Sequence, residues 1–317
     1  MSDKPPYRKI LLIKLGALGD ILRSLPAMHA VRHHFPDAQI DLLTRKPFIG
    51  FCRTIPWFNH VHTATMHSPW QIAKWLDFVR EMRAQNYDLV IDMQCKPRTF
   101  IYHLLFGLGT SWSGDSIFCQ YKRPRRTKPV RQHPNELLRQ QWKALGIPFD
   151  VPVDLDWLSD VLPIDPLPER YVVLVPGCSA QHPQKRWPAS HYGALANKLD
   201  AIGIASIVIG TAAEKEAVEE VLTLAPKAIN LLGRTSIQQL ASLTRCALGV
   251  VTNDTGPAHL AGMVGAPTLV LLSKIAQPER ILPVGPRVTY IKKDELADIP
   301  AQEVLDTMRG FMLPEEQ

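Results

Sequence analysis

The chain has 317 residues, of which 46% are hydrophobic and 21% are charged, the composition of a folded, water-soluble protein. This length exceeds what one hydrophobic core usually serves, which favours two domains. No apolar run reaches the roughly 18 residues of a membrane-spanning helix, and residues 1–9 lack the apolar core of a signal peptide, so a cytoplasmic location is expected. The five cysteines are scattered without a CxxC pair, which argues against a disulfide framework and a zinc ribbon.

The net charge of +6 is unevenly spread along the chain. Residues 122–131 hold six basic side chains in ten positions: Lys122, Arg123, Arg125, Arg126, Lys128 and Arg131. Such a run is typical of an anionic partner, such as a nucleic acid, a phosphorylated glycan or an acidic membrane surface, and also of a solvated loop. Nucleic acid is not the expected partner, because Tyr121 is the only aromatic neighbour and no nucleic-acid-binding module is visible.

Short apolar runs alternate with helical patterns from the start of the chain, as in βαβ units with a parallel sheet. The predicted strands of the first half are 9–14, 39–44, 60–63 and 88–93. The predicted helices are 20–34, 69–84, 98–106 and 135–145, with Pro26 expected to kink the first helix or mark its true start. Prolines then crowd residues 146–169, which predicts a linker between two domains.

The same alternation restarts at residue 171. The predicted strands are 171–175, 205–209, 228–231, 248–252, 268–272 and 288–291, and the predicted helices are 188–201, 213–224, 237–244, 256–264 and a final amphipathic helix, 301–312. The sequence therefore predicts two doubly wound α/β domains in tandem. Ligands are expected outside the carboxyl ends of the strands, in a cleft between the two domains.

The first candidate site follows strand 9–14, where the sequence KLGALGD leads into a helix. Gly16 and Gly19 would let the backbone approach a substrate, but the spacing matches neither a dinucleotide-binding loop nor a P-loop. A helix N-terminus favours the anionic form of Asp20, which could accept a proton from an acceptor hydroxyl. The alternative is that Asp20 only caps the helix.

The second candidate site follows strand 171–175, in the sequences PGCSA and QKRWP. Gly177 and Ser179 lie in a turn suited to phosphate, and Lys185 brings positive charge into the same loop. A lysine at this place can hold a diphosphate and neutralise its charge as it leaves. The alternative is an ordinary surface lysine.

The third candidate site is the sequence NDTGPAHLA, which follows an apolar strand and opens a helix. Asp254 or Thr255 can serve as N-cap, and Gly256 permits close approach of a ligand. The exposed N–H groups and the dipole of such a helix start favour phosphate, with His259 one turn further on. The alternative is a plain strand–turn–helix junction.

Two further features of the sequence predict function more weakly. Thr211 and Glu214 follow strand 205–209 and could line a nucleoside pocket near a ribose, although Glu214 could equally serve only the helix dipole. The DxD spacing of Asp154 and Asp156 has no supporting carboxylates, so no metal site is predicted.

With these residues in hand, the chain resembles glycosyltransferase family 9, the ADP-heptose:lipopolysaccharide heptosyltransferases. The likeness covers nearly the whole length and is most specific in ILLIKLGALGDILRSLPA, PGCSA…QKRWP and NDTGPAHLAGMVGAPTLVLL. It implies a GT-B fold of two Rossmann-like domains facing across a cleft, and inverting transfer from a nucleotide-sugar without a required metal or cofactor. It also implies that Asp20 is the catalytic base and Lys185 the donor phosphate lysine. Asp254, Thr255, Gly256 and His259 match the donor-binding motif, and Glu214 aligns loosely with a residue near the ribose.

The resulting prediction is an acceptor domain, 1–160, a nucleotide-sugar domain, 161–298, and a closing helix, 299–317, that packs back on the first domain. The enzyme would move heptose from ADP-heptose to a lipopolysaccharide core. The predicted acceptor-binding residues, which would meet core phosphates or Kdo carboxylates, are Gly16, Gly19, Lys96, Arg98, Arg123, Arg125 and Arg126. The protein is expected to act as a monomer, in the cytoplasm or at the inner membrane face. A nucleotide-sugar 2-epimerase and a non-enzymatic anionic-polymer-binding protein are the alternatives, and the sugar, the base and the acceptor hydroxyl stay open.

Overall fold

The chain divides into two compact units between Trp157 and Leu158, close to the predicted boundary after residue 160. The computed structural model describes residues 7–64, 70–123, 134–160, 162, 164–178 and 183–312. Each unit is built around one six-stranded parallel sheet. The prediction of two α/β domains is therefore confirmed.

The sheet of the first unit has the strand order β3-β2-β1-β4-β5-β6. Its strands are β1 (Lys9–Ile13), β2 (Gln39–Thr44), β3 (His60–Thr63), β4 (Leu89–Asp92), β5 (Ser111–Gly114) and β6 (Tyr121–Lys122). The sequence predicted the first four. It missed β5 and β6 because their four and two residues contain no apolar run.

The sheet of the second unit has the order β12-β11-β10-β7-β8-β9. Its strands are β7 (Tyr171–Val175), β8 (Ala205–Gly210), β9 (Ile229–Leu232), β10 (Gly249–Asn253), β11 (Thr268–Leu272) and β12 (Val288–Lys292). All six were predicted to within a residue or two. The central strands are continuous apolar runs because helices cover both faces of a parallel sheet.

Eleven α-helices flank the two sheets in the described part of the chain. They are α1 (Leu18–His34), α2 (Ile49–Cys52), α3 (Ile72–Ala84), α4 (Pro97–Tyr102), α5 (Pro134–Leu145), α6 (Ala189–Asp200), α7 (Lys215–Leu224), α8 (Ile237–Arg245), α9 (Gly256–Met263), α10 (Pro278–Ile281) and α11 (Ala301–Met312). Helix α1 begins two residues before Asp20 and runs through Pro26, so this proline does not mark its start. Helix α4 continues as a π-helix, His103–Gly107.

The final helix contributes to the core of the second unit. Val304, Leu305 and Met308 of α11 belong to the same buried cluster as Trp187. The indole Nε1–H of Trp187 donates to the carbonyl of Ile299, 2.9 Å away, just before the helix begins. The predicted contact of this helix with the first domain stays a prediction.

Strand order changes direction once in each sheet. In the first unit, β2 and β3 lie on one side of β1, and β5 and β6 lie on the opposite side, beyond β4. In the second unit, β11 and β12 lie on one side of β10, and β8 and β9 lie on the opposite side, beyond β7. Loops that leave two such neighbouring strands diverge to opposite faces, which opens a crevice at the carboxyl ends. These two switch points contain most of the predicted site residues.

Candidate functional sites

The switch point of the first unit lies between β1 and β4, which pair in parallel from Ile10 to Ile13. The loop after β1 and the loop after β4 are tied together, because the Leu15 N–H donates to Gln94 Oε1 at 3.0 Å. The β4 loop is itself held by the buried carboxylate of Asp92, which accepts from the backbone N–H groups of Gln94 and Cys95, both at 2.9 Å. Asp20 follows β1, and the predicted acceptor cations Lys96 and Arg98 follow β4.

Asp20 lies in the first turn of α1 with two-fifths of its side chain exposed. One carboxylate oxygen accepts from the Ala17 N–H at 3.3 Å, and the other contacts the Arg23 guanidinium. Asp20 therefore caps the helix and still presents a solvent-accessible carboxylate. Gly16 makes room for it, since a Cβ atom there would lie 2.5 Å from the Cβ of Asp20.

The cations around Asp20 include two that the sequence analysis missed. Burial alone raises the pKa of Asp20, but the charges of Lys14 and Arg23 outweigh this effect and hold the pKa below its usual value. Burial lowers the pKa of Lys14 to about 8, aided by Arg123 and Arg23 and opposed by Asp20. The i,i+3 spacing of Asp20 and Arg23 could have predicted the contact between these two side chains.

The predicted acceptor cations that the structure describes are grouped after β4 and β6. Lys96 is exposed at the start of α4. The Arg98 guanidinium lies over the Trp75 ring, 5.8 Å from its centre. Arg123 follows β6 and donates to the Met93 carbonyl at 3.3 Å, so it belongs to the same switch point. Gly19 lies in the first turn of α1, and Arg125 and Arg126 lie outside the described residues.

The structure also brings together three groups that can bind metals, which the sequence spacing did not reveal. Ligand atoms of Asp92, Cys95 and Asp115 lie within 4.8 Å of one another. The Arg123 guanidinium is 3.5 Å from Cys95 Sγ, and burial strongly raises the pKa of this thiol. The Arg123 guanidinium would repel a cation at this place, which disfavours a metal there.

The switch point of the second unit lies between β7 and β10, and a buried amide holds its loops. Asn253, at the end of β10, is fully buried. Its Nδ2 donates to the carbonyls of Pro176 and Gly177, at 3.1 and 3.2 Å, and its Oδ1 accepts from the Trp187 N–H at 3.0 Å. Asn253 thus fixes the two segments that flank Lys185, a role the sequence analysis did not assign.

Lys185 and Asp254 meet at this place. The Lys185 ammonium is 2.7 Å from Asp254 Oδ2, and both side chains are half-buried. Thr255 is the N-cap of α9, with Gly256 as its first residue, and the Thr255 hydroxyl lies 3.1 Å from that of Thr252. His259 is buried one turn further along α9. A lysine and a helix N-terminus side by side form a seat for an anionic group.

The loops after β7 and β8 also meet. Glu214 Oε2 accepts from the N–H and the hydroxyl of Thr211, at 2.6 and 2.8 Å. Gly177 is required here, because a Cβ atom on it would lie 2.4 Å from Glu214 Cγ. The structure therefore brings Gly177, Thr211 and Glu214 together, and Glu214 has the capping contact that was the alternative to a ribose contact. Ser179 lies outside the described residues.

Comparison with known families decides the class of the protein. The model of glycosyltransferase family 9 (heptosyltransferase) matches residues 75–311, about three quarters of the chain. The chain belongs to this family. The match includes the whole second switch point and begins after the Asp20 loop. Family 9 membership makes the chain a glycosyltransferase, which decides against the epimerase and the non-enzymatic binding protein.

Full-length relatives agree with the family 9 assignment. The chain is 24% identical to lipooligosaccharide heptosyltransferase 2 of Haemophilus influenzae, with 89% of this chain and 88% of the relative covered. It is 27% identical to lipopolysaccharide heptosyltransferase 1 of Pseudomonas aeruginosa, with 83% and 78% covered. The structure of ADP-heptose LPS heptosyltransferase II of Escherichia coli superposes with a TM-score of 0.77 at 20% identity, over 98% of this chain and 100% of that one. The fold is therefore of the GT-B type.

Lys14 makes stability depend on pH in this family 9 enzyme. Its pKa is about 8 in the folded protein and 10.5 without burial, so the unfolded chain binds more protons between these values. The cost of the buried charge is therefore fully present below pH 8 and falls as the pH rises toward 10.5. We expect Lys14→Met to raise the free energy of unfolding by on the order of 1–3 kcal/mol at pH 7, and by less at pH 9.5, in urea denaturation.

Lys143→Met is the matched control, because Lys143 is exposed on α5. It should leave the free energy of unfolding nearly unchanged at both pH values. A loss of stability in Lys14→Met at pH 7 would mean that attraction to Asp20 and Asp92 outweighs the cost of burial.

Proposed function

We propose that this family 9 enzyme transfers heptose from ADP-heptose to a lipopolysaccharide-core acceptor, with inversion and without a metal. The observation that carries the proposal is the meeting of Lys185, Asp254 and the start of α9 at the second switch point. The names of the relatives supply the sugar and the acceptor class, and that of the E. coli enzyme supplies ADP-heptose. The enzyme acts as a monomer, in the cytoplasm or in contact with the inner membrane.

The second unit would bind the donor diphosphate. Lys185 has two further ammonium protons beside its contact with Asp254, and the N–H groups at the start of α9 point outward from the helix. Asp254 orients the lysine. It also pairs with the lysine charge when no diphosphate is bound. As the sugar–phosphate bond breaks, the electron pair stays on ADP, and Lys185 with the Thr255 and Gly256 amides stabilises the added charge.

Asp20 would act as the base. The acceptor hydroxyl attacks the anomeric carbon on the face opposite ADP, one carbon–oxygen bond forms as the other breaks, and the hydroxyl proton passes to Asp20. Because Lys14 and Arg23 lower the pKa of Asp20, its carboxylate is ionised at neutral pH but weakly basic. Proton transfer must therefore accompany bond formation, when the attacking hydroxyl becomes acidic.

The first unit would bind the acceptor. Lys96, Arg98 and Arg123 lie after β4 and β6, where they would meet the anionic groups of the core. Gly16 leaves room beside Asp20, and Gly19 adds no side chain to the first turn of α1. Arg125 and Arg126 extend the same basic sequence. Thr211 and Glu214 are proposed to border the nucleoside, since they adjoin Gly177 in the donor unit.

Replacing Asp20 should slow the transfer step and leave donor binding nearly unchanged. Asp20→Asn keeps the size of the side chain and an oxygen for the Ala17 N–H. We expect the transfer rate to fall by about 10²- to 10⁴-fold while the Kd for ADP changes less than about twofold. Product chromatography and calorimetry give the two values, and Asp37→Asn, at an exposed carboxylate, is the control. A collapse of ADP affinity would instead make Asp20 a structural residue.

Replacing Lys185, in contrast, should weaken the binding of the donor. Lys185→Ala should weaken ADP binding by about tenfold or more, because a charge-assisted contact to the diphosphate is lost. Thermal shifts with ADP, UDP and GDP report both affinity and choice of base, and ADP should give the largest shift in the wild type. Lys215→Ala, at an exposed residue of α7, serves as the control. Equal ADP affinity in Lys185→Ala would remove this lysine from the site.

The proposal needs no metal because Lys185 and the α9 amides supply the positive field at the diphosphate. Transfer should therefore continue at an unchanged rate in excess EDTA, after dialysis against the chelator. If the rate falls in EDTA and returns with Mg²⁺ or Mn²⁺, a metal cation stabilises the charge of the leaving group, which contradicts this part of the mechanism.

A further inference from the structure

Exposed apolar side chains are concentrated in one stretch of the first unit. Among the described residues, 14 large hydrophobic side chains are exposed, and nine of them lie between Trp70 and Phe118. The other five are scattered through the second unit, from Ile202 to Tyr290. Contiguous exposed apolar surface of this kind marks an interaction site more often than single exposed residues do.

Helix α4 and the π-helix after it provide the centre of this surface. Thr99, Tyr102 and His103 face inward and are buried, whereas Phe100, Ile101 and Leu104 face outward. Phe118, from the loop between β5 and β6, extends the outward face. Its ring stacks on Phe100, with 6.5 Å between the centroids and 22° between the planes.

Helix α3 widens the same surface. The Arg83 guanidinium donates through Nε to the carbonyl of Leu105 at 2.9 Å, so the flank of α3 that carries Arg83 faces the π-helix. Leu76 and Ile72 precede Arg83 by seven and eleven residues and lie on that flank. Both are exposed. We call Ile72, Leu76, Phe100, Ile101, Leu104 and Phe118 together the Phe100 face.

Basic side chains border the Phe100 end of this face. Lys96 and Arg98 come shortly before Phe100, and no acidic residue lies between Asp92 and Asp115, which itself comes shortly before Phe118. On α3 the acidic side chains of Asp77 and Glu81 lie about 100° or more around the helix from Leu76. An apolar surface with a cationic border is complementary to a bilayer with anionic headgroups, into which apolar side chains insert.

We propose that the Phe100 face docks on the surface of an anionic lipid bilayer. The inference rests on the proposed function in one respect, namely that a lipopolysaccharide-core acceptor is anchored in a membrane. No helix among the described residues has the length and apolar content needed to cross a bilayer, so docking is peripheral. A two-fold contact between copies of this chain would bring together two surfaces that both carry Lys96 and Arg98 at their border, which disfavours a dimer at this face.

Vesicle flotation of the full chain tests the proposal without any sugar substrate. The wild type should float with phosphatidylethanolamine–phosphatidylglycerol vesicles, and much less with pure phosphatidylcholine vesicles. Ile101→Ser combined with Leu104→Ser should weaken binding to the anionic vesicles by about tenfold or more. The control is Ile202→Ser combined with Leu224→Ser, at exposed positions of the second unit, which should bind like the wild type. Circular dichroism verifies folding, and Phe118→Ser replaces the double variant if that one does not fold.

Two assays keep this inference separate from the proposed function. Transfer to a lipid-free core oligosaccharide should be unchanged in the double variant, and transfer to vesicle-bound acceptor should fall with vesicle binding. Absence of transfer in every form would refute the function and leave the flotation result standing. Docking is overturned if the wild type does not bind anionic vesicles, if the double variant binds equally well, or if sedimentation shows a wild-type dimer that the double variant lacks.

Discussion

The hydrogen bonds of one buried amide hold together the second switch point, the proposed donor site. Asn253 ends the strand at the second switch point, and its side chain satisfies carbonyls of the loop after β7 and the N–H of Trp187. Without this amide those groups would be buried without partners, at a cost of about 1–3 kcal/mol each. The same contacts place Lys185, two residues before Trp187, beside Asp254, one residue after Asn253. The hydrogen bonds of Asn253 thus support the backbone on both sides of the Lys185–Asp254 ion pair.

The two switch points have similar loops and opposite electrostatics. In the first unit a carboxylate is surrounded by cations, and in the second a cation is paired with one carboxylate at a helix N-terminus. The first arrangement keeps Asp20 ionised and able to receive a proton. The second is suited to accumulating negative charge on a leaving group. The proposed transfer would use the first arrangement for the proton and the second for the diphosphate.

The sequence predicted the sheets well because a strand buried on both faces is a continuous apolar run, as in β7 and β11. It failed at β5 and β6, which are held by their neighbours and not by their composition. The proposed donor residues were predicted from motifs, and their donor role stays a prediction. The pairing of Lys185 with Asp254 joins positions 69 residues apart and required the strand order. Lys14 was quoted in a motif without a role, since neither its burial nor the proximity of Arg123 can be read from spacing.

Helix α4 connects the loop after β4, with the predicted acceptor cations, to the Phe100 face. Lys96 is its N-cap and follows Cys95, whose backbone N–H donates to Asp92. At a rise of 1.5 Å per residue, Leu104 lies only about 12 Å along the helical path from Lys96. A lipid held near Leu104 would thus place its anionic sugars near Lys96, a short distance from the bilayer. Docking on a bilayer, as proposed, would remove the exposed apolar surface of Phe100 and Leu104 from water.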